Sequence, residues 1–265
     1  MPLNADALAE IAIEAGSIIM DIYLSDFSVA HKDDSSPVTI ADEKAEAFIL
    51  AALKKLDPTL PLIAEEAVAA GQIPEHDARF ALIDPLDGTK EFVNKRDEFT
   101  VNIGVIENGV PVMGVVYAPA LGRLFVAENR FSAWQAEVAP GGQLPAPDQR
   151  RKMQIRTAPL DGLTAIASKS HRSPETNAFL DTHNISNIIS AGSSLKFCLI
   201  AAGEADLYPR HGRTMEWDTA AGQAVAEAAG ARVTTLELEP LAYGKKQRGY
   251  DNPSFIVWGD ITPNA

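Results

Sequence analysis

Two long apolar segments separated by an Asn-Gly pair most constrain what this chain can fold into. Residues 101–106 and 110–117 are rich in β-branched side chains, and Asn108-Gly109 between them has the composition of a tight hairpin turn. The pattern therefore predicts two antiparallel strands. Further strand-like segments at 124–126 and 132–134 extend the antiparallel region, and short apolar segments at 61–64 and 80–83 are also predicted as strands.

The pattern changes after a segment rich in Pro, Gly, Gln and Arg at residues 139–152, which is typical of a loop or linker. Beyond it, predicted strands (164–168, 186–190, 205–208, 231–235, 254–259) alternate with predicted helices (174–182, 194–203, 217–229). Two more helices, at 4–24 and 40–56, are predicted from apolar residues at helical spacing. We expect an α+β first half, 1–150, and a smaller mixed α/β second half, 151–265.

Composition excludes several classes of protein. The formal charge of −13 disfavours a nucleic-acid polymer as partner, although cations could still bridge acidic side chains to a small anionic substrate. The single cysteine, Cys198, excludes an internal disulfide and favours a reducing compartment. With no signal-like N-terminus and no apolar run of about 20 residues, a cytoplasmic location is expected. Peripheral attachment to the inner face of the membrane stays open.

The most informative motif is Asp84-Pro85-Leu86-Asp87-Gly88-Thr89, which follows the strand-like segment 80–83. Pro85 fixes one backbone torsion and Gly88 permits a sharp turn, so Asp84 and Asp87 can converge. Carboxylates and the carbonyl oxygen of Leu86 suit Mg²⁺, and a helix starting after Gly88 would offer free N–H groups to an anion. Taken alone, the motif is equally well explained as a surface turn.

Three further acidic positions have both a structural and a functional explanation. Glu65-Glu66 follows a strand-like segment, where either a solvated pair or an active-site position is expected. Asp218 lies in the first turn of an alanine-striped helix, where it would also complement the helix dipole. Asp42 either forms a capping box with Thr39 or orients a catalytic hydroxyl group.

Taken together, three segments resemble the motifs of the inositol monophosphatase superfamily, the lithium-sensitive, magnesium-dependent phosphatases. They are residues 64–66, 84–89 and 217–222, in the order that the family has them. The resemblance covers nearly the whole chain and implies a layered αβαβα sandwich. Within the superfamily, 3′(2′),5′-bisphosphate nucleotidases of the CysQ type are the most similar, on the segments 90–92, 168–172, 192–198 and 208–210.

The resemblance also implies a role for each site residue. Up to three Mg²⁺ ions would be bound by Glu65, Asp84, Asp87, Asp218 and the Leu86 carbonyl. The catalytic group would comprise Glu65, Asp42, Asp87 and Thr89, with Thr89 oriented by Asp42 to activate the attacking water. The nucleotide and its phosphates would be contacted by Glu65, Leu86, Asp87, Gly88, Thr89, His171, Ser193, Lys196, Arg210 and Asp218. Inhibition by Li⁺ is expected on the same grounds.

The implied reaction is the hydrolysis of adenosine 3′,5′-bisphosphate to AMP and phosphate in sulfur metabolism, by a metal-activated water. The sulfated nucleotide remains an alternative substrate. Inositol monophosphate or another sugar phosphate is the nearest rival, and His171, Lys196 and Arg210 argue against it because they suit a second phosphate and a base. A non-catalytic metal-binding regulator is a further alternative. The oligomeric state stays open between a monomer and a homodimer.

One residue departs from the expected family pattern. Glu216 precedes Trp217 at a position where many relatives are expected to have an apolar side chain. We expect it to add negative charge near the site, and it leaves the local substrate contacts open.

Overall fold

The computed structural model of the protein describes residues 3–25, 29–31, 37–167 and 173–262. The elements of its first part are α1 (Ala5–Tyr23), β1 (Val29–His31), β2 (Pro37–Thr39), α2 (Ile40–Leu56), β3 (Leu62–Ala64), α3 (Glu65–Ala69), β4 (Arg79–Asp87), α4 (Thr89–Val93), β5 (Thr100–Glu107), β6 (Val110–Ala118), β7 (Arg123–Asn129), β8 (Ser132–Glu137) and β9 (Arg151–Lys152). Its second part contains β10 (Leu163–Ile166), α5 (Pro174–Asp181), β11 (Ile185–Ile189), α6 (Leu195–Ala201), β12 (Leu207–Arg210), α7 (Glu216–Ala228), β13 (Arg232–Thr235) and β14 (Phe255–Trp258).

A seven-stranded sheet forms the first part, with its strands in chain order from β3 to β9. Every neighbouring pair is antiparallel except β3 and β4, which are parallel. The turn between β5 and β6 has positive φ at both central residues, 52° at Asn108 and 76° at Gly109. Positive φ at both positions is what a type I′ turn requires, so the predicted hairpin is confirmed.

Helices α1 and α2 cover one face of this sheet. Leu8 of α1 and Ile49 of α2 are fully buried in one apolar cluster with Ile83 and Ile103 of the sheet. The alternate residues Phe80 and Leu82 of β4 belong to a different cluster. This period of two places the side chains of β4 on both faces, so a second layer must cover the opposite face.

Helix α7 lies on that opposite face and approaches the sheet very closely. A Cβ atom added at Gly104 would lie 2.9 Å from the Cβ of Ala220, and one added at Gly114 would lie 2.8 Å from the Cβ of Ala224. Both separations are shorter than a carbon–carbon contact allows, so only glycine fits at these strand positions. Helix α7 is thereby held close to the backbone of β5 and β6.

A five-stranded mixed sheet, in the order β11-β10-β12-β14-β13, forms the next layer. Tyr208 and Val257 face the cluster that includes α6 and α7, while Leu207 and Trp258 face the cluster that includes Leu180 of α5. The layers therefore run α, β, α, β, α, which confirms the expected sandwich.

Small differences from the sequence prediction occur at element ends. The segment 139–152, predicted as a loop, ends in the short strand β9, whose backbone pairs with β8. The short helix α3 begins at Glu65, directly after β3, and α4 begins at Thr89, two residues after the end of β4. Five residues each are too few for apolar periodicity to show a helix. The division into 1–150 and 151–265 stays a prediction. Among the described helices, none is long and apolar enough to cross a membrane.

Candidate active site

Three carboxylates gather where β3, β4 and α7 meet. Because β3 and β4 are parallel and Ala64 lies opposite Ile83, the next residues along each strand, Glu65 and Asp84, emerge side by side. Asp218 comes from the first turn of α7, which covers the same sheet. One carboxylate oxygen of each acid lies within 4.8 Å of the corresponding oxygens of the other two. The structure thus brings together acids that are far apart in sequence.

Two of these acids are held by backbone N–H groups. The Asp84 Oδ1 atom accepts a hydrogen bond from the Leu86 N–H at 3.0 Å. The Asp218 Oδ2 atom accepts one at 2.8 Å from the N–H of Met215, the N-cap residue of α7, so Asp218 helps to cap its own helix. Each bond fixes a carboxylate through the chain segment on which it stands.

The electrostatics of the cluster favour a bound cation. Burial raises the pKa of Asp84 well above its usual range, and the neighbouring charge of Glu65 raises it further. Burial likewise raises the pKa of Asp218, with the charges of Asp87 and Glu65 adding to the effect. A divalent cation among these oxygens would relieve both the repulsion and the desolvation, and an all-oxygen donor set fits Mg²⁺.

Asp87 is not part of this group of three, but it is close enough for its charge to raise the pKa of Asp218. The pairing of β4 with β5 is irregular between Asp84 and Asp87, because Pro85 has no N–H to donate to the neighbouring strand. The Asp87 Oδ2 atom accepts a hydrogen bond from the Ser194 N–H at 2.6 Å. Burial raises the pKa of Asp87 to about 6, and the positive charge of Lys196 acts in the opposite direction. Asp87 therefore faces the second part of the chain.

The turn after Asp87 positions a hydroxyl group. Gly88 has a φ of 94°, and α4 begins at the next residue. The Thr89 hydroxyl donates to the Leu86 carbonyl oxygen at 3.3 Å. Asp42 is buried on α2, and its charge contributes to the raised pKa of Asp84. The predicted orientation of Thr89 by Asp42 stays a prediction.

A pocket of about 150 Å³ opens beside the acids. Its lining consists of Asp87, Gly88, Lys90, Glu91, Ala191, Gly192, Ser193, Ser194, Lys196, Phe197, Tyr208, Arg210, Thr214, Asp218, Thr219 and Phe255. The predicted substrate residues Ser193, Lys196 and Arg210 therefore meet Asp87 and Asp218 in one cavity. The predicted contact His171 lies outside the described residues.

Lys196 is a buried cation at this pocket, only 7% exposed. Its Nζ atom donates to the Ser193 carbonyl oxygen at 2.8 Å and lies 5.7 Å from the centre of the Tyr208 ring. Burial lowers the pKa of Lys196 to about 8, while the charge of Asp87 opposes that decrease. A second anion in the pocket would stabilise the charged form.

Two polar atoms in the pocket lining are buried without a hydrogen-bond partner in the described part of the chain, the Ser193 Oγ and the Arg210 Nε. Such groups are costly unless a ligand or water satisfies them. Ser193 also has a φ of 46°, an uncommon value for a residue with a side chain. Both features are expected of a binding loop.

The structure corrects the expectation for Glu216. Its fully buried carboxylate accepts hydrogen bonds from the N–H groups of Gly244 and Lys245, both at 2.8 Å. The Lys245 Nζ also lies 2.8 Å from this carboxylate. Glu216 is absent from the pocket lining, so its charge is compensated locally and it anchors the segment that follows β13.

Sequence reasoning missed several residues at the site. Lys90 and Glu91 served only to mark the resemblance, yet both line the pocket. Thr100, Asn102 and Ser194 were not singled out, although all three are buried and hydrogen-bonded next to Asp87. A polar Asn102 within the apolar run of β5 was the available signal.

Comparison with known proteins gives a consistent result. Residues 4–256 match the model of the inositol monophosphatase family. The chain is 42% identical over 256 residues to the 3′(2′),5′-bisphosphate nucleotidase CysQ of Salmonella typhimurium, covering 95% of this chain and 98% of that protein. The Escherichia coli protein of the same name is 41% identical with the same coverage.

Solved structures agree with these relatives. CysQ from Bacteroides thetaiotaomicron superimposes with a TM-score of 0.81 at 39% identity, covering 97% of each chain. An inositol monophosphatase from Anabaena superimposes with a TM-score of 0.74 at 27% identity, covering 97% of this chain and 91% of the other. The chain belongs to the inositol monophosphatase family.

Proposed function

We propose that this protein is a 3′(2′),5′-bisphosphate nucleotidase that releases the 3′-phosphate of adenosine 3′,5′-bisphosphate, giving AMP and phosphate. One observation carries the proposal: Asp87 and Asp218 share a single pocket with Lys196 and Arg210. A substrate with two phosphates can use both ends of such a pocket. The CysQ relatives, which cover nearly the whole chain, support the same substrate class.

Enzymes of this family use Mg²⁺, and the acidic residues of this chain suit that ion. We propose that Glu65, Asp84, Asp87, Asp218 and the Leu86 carbonyl hold it. When bound, Mg²⁺ would lower the pKa of a water molecule and neutralise charge on the phosphoryl oxygens. The raised pKa values of Asp84 and Asp218 support this assignment, because burial and mutual repulsion leave these acids in need of positive charge.

The other side chains bind, orient and move protons. Lys196 and Arg210 would hold the phosphate that stays on the product, with the Ser193 hydroxyl as a neighbouring donor. The Thr89 Oγ1, oriented by Asp42, and the carboxylate of Glu65 would orient the attacking water and take its proton. His171 completes the proposed set of substrate contacts.

An inositol monophosphatase is the nearest competing function, because the acidic residues serve either substrate. Lys196 and Arg210 favour the nucleotide, since a cyclitol monophosphate has no second phosphate for them to bind. The test is phosphate release from adenosine 3′,5′-bisphosphate, from its sulfated form and from inositol 1-phosphate at fixed Mg²⁺, with and without Li⁺. We expect a preference for the bisphosphate and inhibition by Li⁺; a preference for inositol 1-phosphate would overturn the substrate assignment.

The same assay tests the remaining alternative. A non-catalytic, metal-binding regulator would bind Mg²⁺ and release no phosphate from any of these compounds. Magnesium-dependent release from one of them, abolished by a chelator, excludes that alternative.

A further inference from the structure

A buried polar network connects Asp87 to the middle of the seven-stranded sheet. Ser194 joins its two ends: its N–H donates to the Asp87 Oδ2 at 2.6 Å, and its hydroxyl donates to the Asn102 Oδ1 at 2.5 Å. The Ser194 Oγ also lies 2.9 Å from the Thr100 Oγ1. Thr100, Asn102 and Ser194 are all at most 2% exposed. The network therefore lies out of competition with bulk water.

The donors and acceptors in this network determine its direction. Ser194 has one hydroxyl proton, and the carboxamide oxygen of Asn102 accepts it. The Thr100 hydroxyl then donates to the Ser194 Oγ at 2.9 Å, the shorter of its two contacts; the other is the Asn102 Oδ1 at 3.4 Å. Two side chains of β5 thus fix the orientation of the Ser194 side chain, and its backbone N–H is fixed with it.

Burying Asn102 destabilises the fold, which indicates that the network has a functional role. Its neighbours along β5, Val101 and Ile103, are fully buried apolar residues. The Asn102 Nδ2 atom is itself buried without a hydrogen-bond partner in the described structure. A buried polar group left unsatisfied in this way is destabilising, so stability alone does not explain an asparagine here.

Ser194 connects the network to two residues of the pocket. On one side is Asp87, whose pairing partner in the sheet is Thr100. On the other is Ser193, whose φ of 46° needs support from its surroundings and whose carbonyl oxygen accepts from Lys196. The same hydrogen bonds therefore constrain a carboxylate from the first sheet and the loop that leads into α6.

We propose that Ser194 is a positioning residue: held by Thr100 and Asn102, it fixes the Asp87 carboxylate relative to the binding loop of Ser193 and Lys196. This inference deepens the proposed function, because it rests on Asp87 belonging to the site. Ser194 acts through Asp87 and is not itself a catalytic residue. The hydrogen bond from its backbone N–H restricts Asp87 to one orientation before any cation or substrate binds. Hydrogen-bonding partners of metal ligands commonly orient those ligands in this way.

The test is to remove the hydroxyl groups while keeping the backbone N–H. Ser194→Ala and, independently, Thr100→Val are expected to weaken Mg²⁺ binding by about 10-fold or more, measured by calorimetry without substrate. The kcat for adenosine 3′,5′-bisphosphate should fall by a similar factor. The double variant should be little worse than Ser194→Ala alone, because both changes break one network.

Thr234→Val is the matched control. It also removes a buried threonine hydroxyl, one that accepts from the Trp258 indole N–H in the five-stranded sheet. We expect it to lower the melting temperature and leave Mg²⁺ affinity and kcat unchanged. This comparison separates positioning from a general loss of stability.

Wild-type Mg²⁺ affinity in Ser194→Ala and in Thr100→Val would overturn the inference, as would an equal loss of affinity in Thr234→Val. Thr100→Val keeps the test decisive if Ser194→Ala fails to fold. The binding measurement needs no substrate. If the wild-type protein binds Mg²⁺ but releases no phosphate from the bisphosphate, the proposed function fails while the positioning role is still tested.

Discussion

The acidic and the cationic walls of the site are built in opposite ways. The acidic wall consists of Glu65, which directly follows β3, of Asp84 and Asp87 on the neighbouring strand β4, and of Asp218 in the first turn of a thirteen-residue helix seated on the same sheet. The cationic wall consists of Lys196 at the start of α6, after the strained Ser193, and Arg210 at the end of β12. One wall is set by long regular elements, and the other by a loop and the ends of short elements.

This difference indicates which residues determine the reaction and which determine the substrate. Like charges repel, so the acids need a rigid frame to hold them together before a cation arrives. The side chains of Lys196 and Arg210 must match the shape of the substrate. Loops and element ends can vary in sequence without disturbing the sheet and helix that hold the acids. We infer that the acidic wall determines the reaction and the cationic wall determines the substrate.

The largest expected effect is on the acidic wall. Asp87→Asn keeps the side-chain shape and an oxygen for the Ser194 N–H while removing the charge. We expect kcat to fall by about 10²–10³-fold, the usual loss when one preorganised electrostatic group is removed. Steady-state phosphate release measures this, with circular dichroism to confirm the fold.

The matched control is Asp206→Asn. Asp206 is buried, accepts two hydrogen bonds from the Arg156 guanidinium and does not line the pocket. It should destabilise the protein without changing kcat. A near-normal rate in Asp87→Asn would remove Asp87 from the acidic wall.

The next effect concerns the pH dependence of stability in a chelator. The pKa of Asp87 is about 6 in the folded protein and about 3.9 in an unfolded chain. Its folded value is the higher one, so it contributes stability below pH ~4 that is lost as the pH rises through about 6. Thermal unfolding should show this as a falling melting temperature, on the order of 3 kcal/mol in unfolding free energy at most.

Glu227 provides the control for that experiment. Burial raises its pKa to about 7, so its contribution is also lost with rising pH, but it lies away from the site pocket. Saturating Mg²⁺ should remove the contribution of Asp87 and leave that of Glu227, which Glu227→Gln then removes. An unchanged pH profile in Asp87→Asn would show that Asp87 does not titrate as described.

On the cationic wall, Lys196→Met keeps the length of the side chain and removes its charge. We expect kcat/KM for adenosine 3′,5′-bisphosphate to fall about 10- to 100-fold, the value of one charge-assisted hydrogen bond. Release from inositol 1-phosphate should change little. Lys152→Met, at an exposed position on β9, is the control. Equal losses on both substrates would show that this wall does not select the substrate.

The smallest expected effect is at Glu216, an acid outside both walls. Glu216→Gln replaces one acceptor oxygen by an N–H₂ group, which cannot accept from Gly244 or Lys245. We expect the unfolding free energy to fall by about 1–3 kcal/mol, from the unsatisfied N–H and the lost ion pair, while KM is unchanged. Denaturant titration measures the first and steady-state kinetics the second. A raised KM would place Glu216 functionally in the pocket.

Much of the fold was predictable from the sequence because its signals are local. The hairpin at Asn108-Gly109 needs only its turn residues, and α2 begins and ends where its apolar spacing predicted. The short helices α3 and α4 were harder, since five residues give no period. The parallel pairing of β3 with β4 follows from chain contacts that no local pattern contains.

The site residues also divide into those with a local sequence signal and those that depend on long-range contacts. Asp84 and Asp218 were identified because their motifs are compact and resemble those of a known family. The compensation of Glu216 by Lys245 was not predictable, because the two residues meet only after the chain returns to the start of α7. Ser194 was missed for the same reason: its partners Thr100 and Asn102 lie more than ninety residues earlier.

The contact of α7 with Gly104 and Gly114 has a consequence for the ion. Ala220, two residues after Asp218, packs with its methyl group against the bare backbone of Gly104, and this contact limits how closely the start of α7 approaches the sheet. The packing distance between α7 and the sheet therefore sets the separation of the Asp84 and Asp218 carboxylates. A single methyl group added at Gly104 would push α7 away from the sheet and separate the two carboxylates. We expect the site then to prefer a larger cation than Mg²⁺.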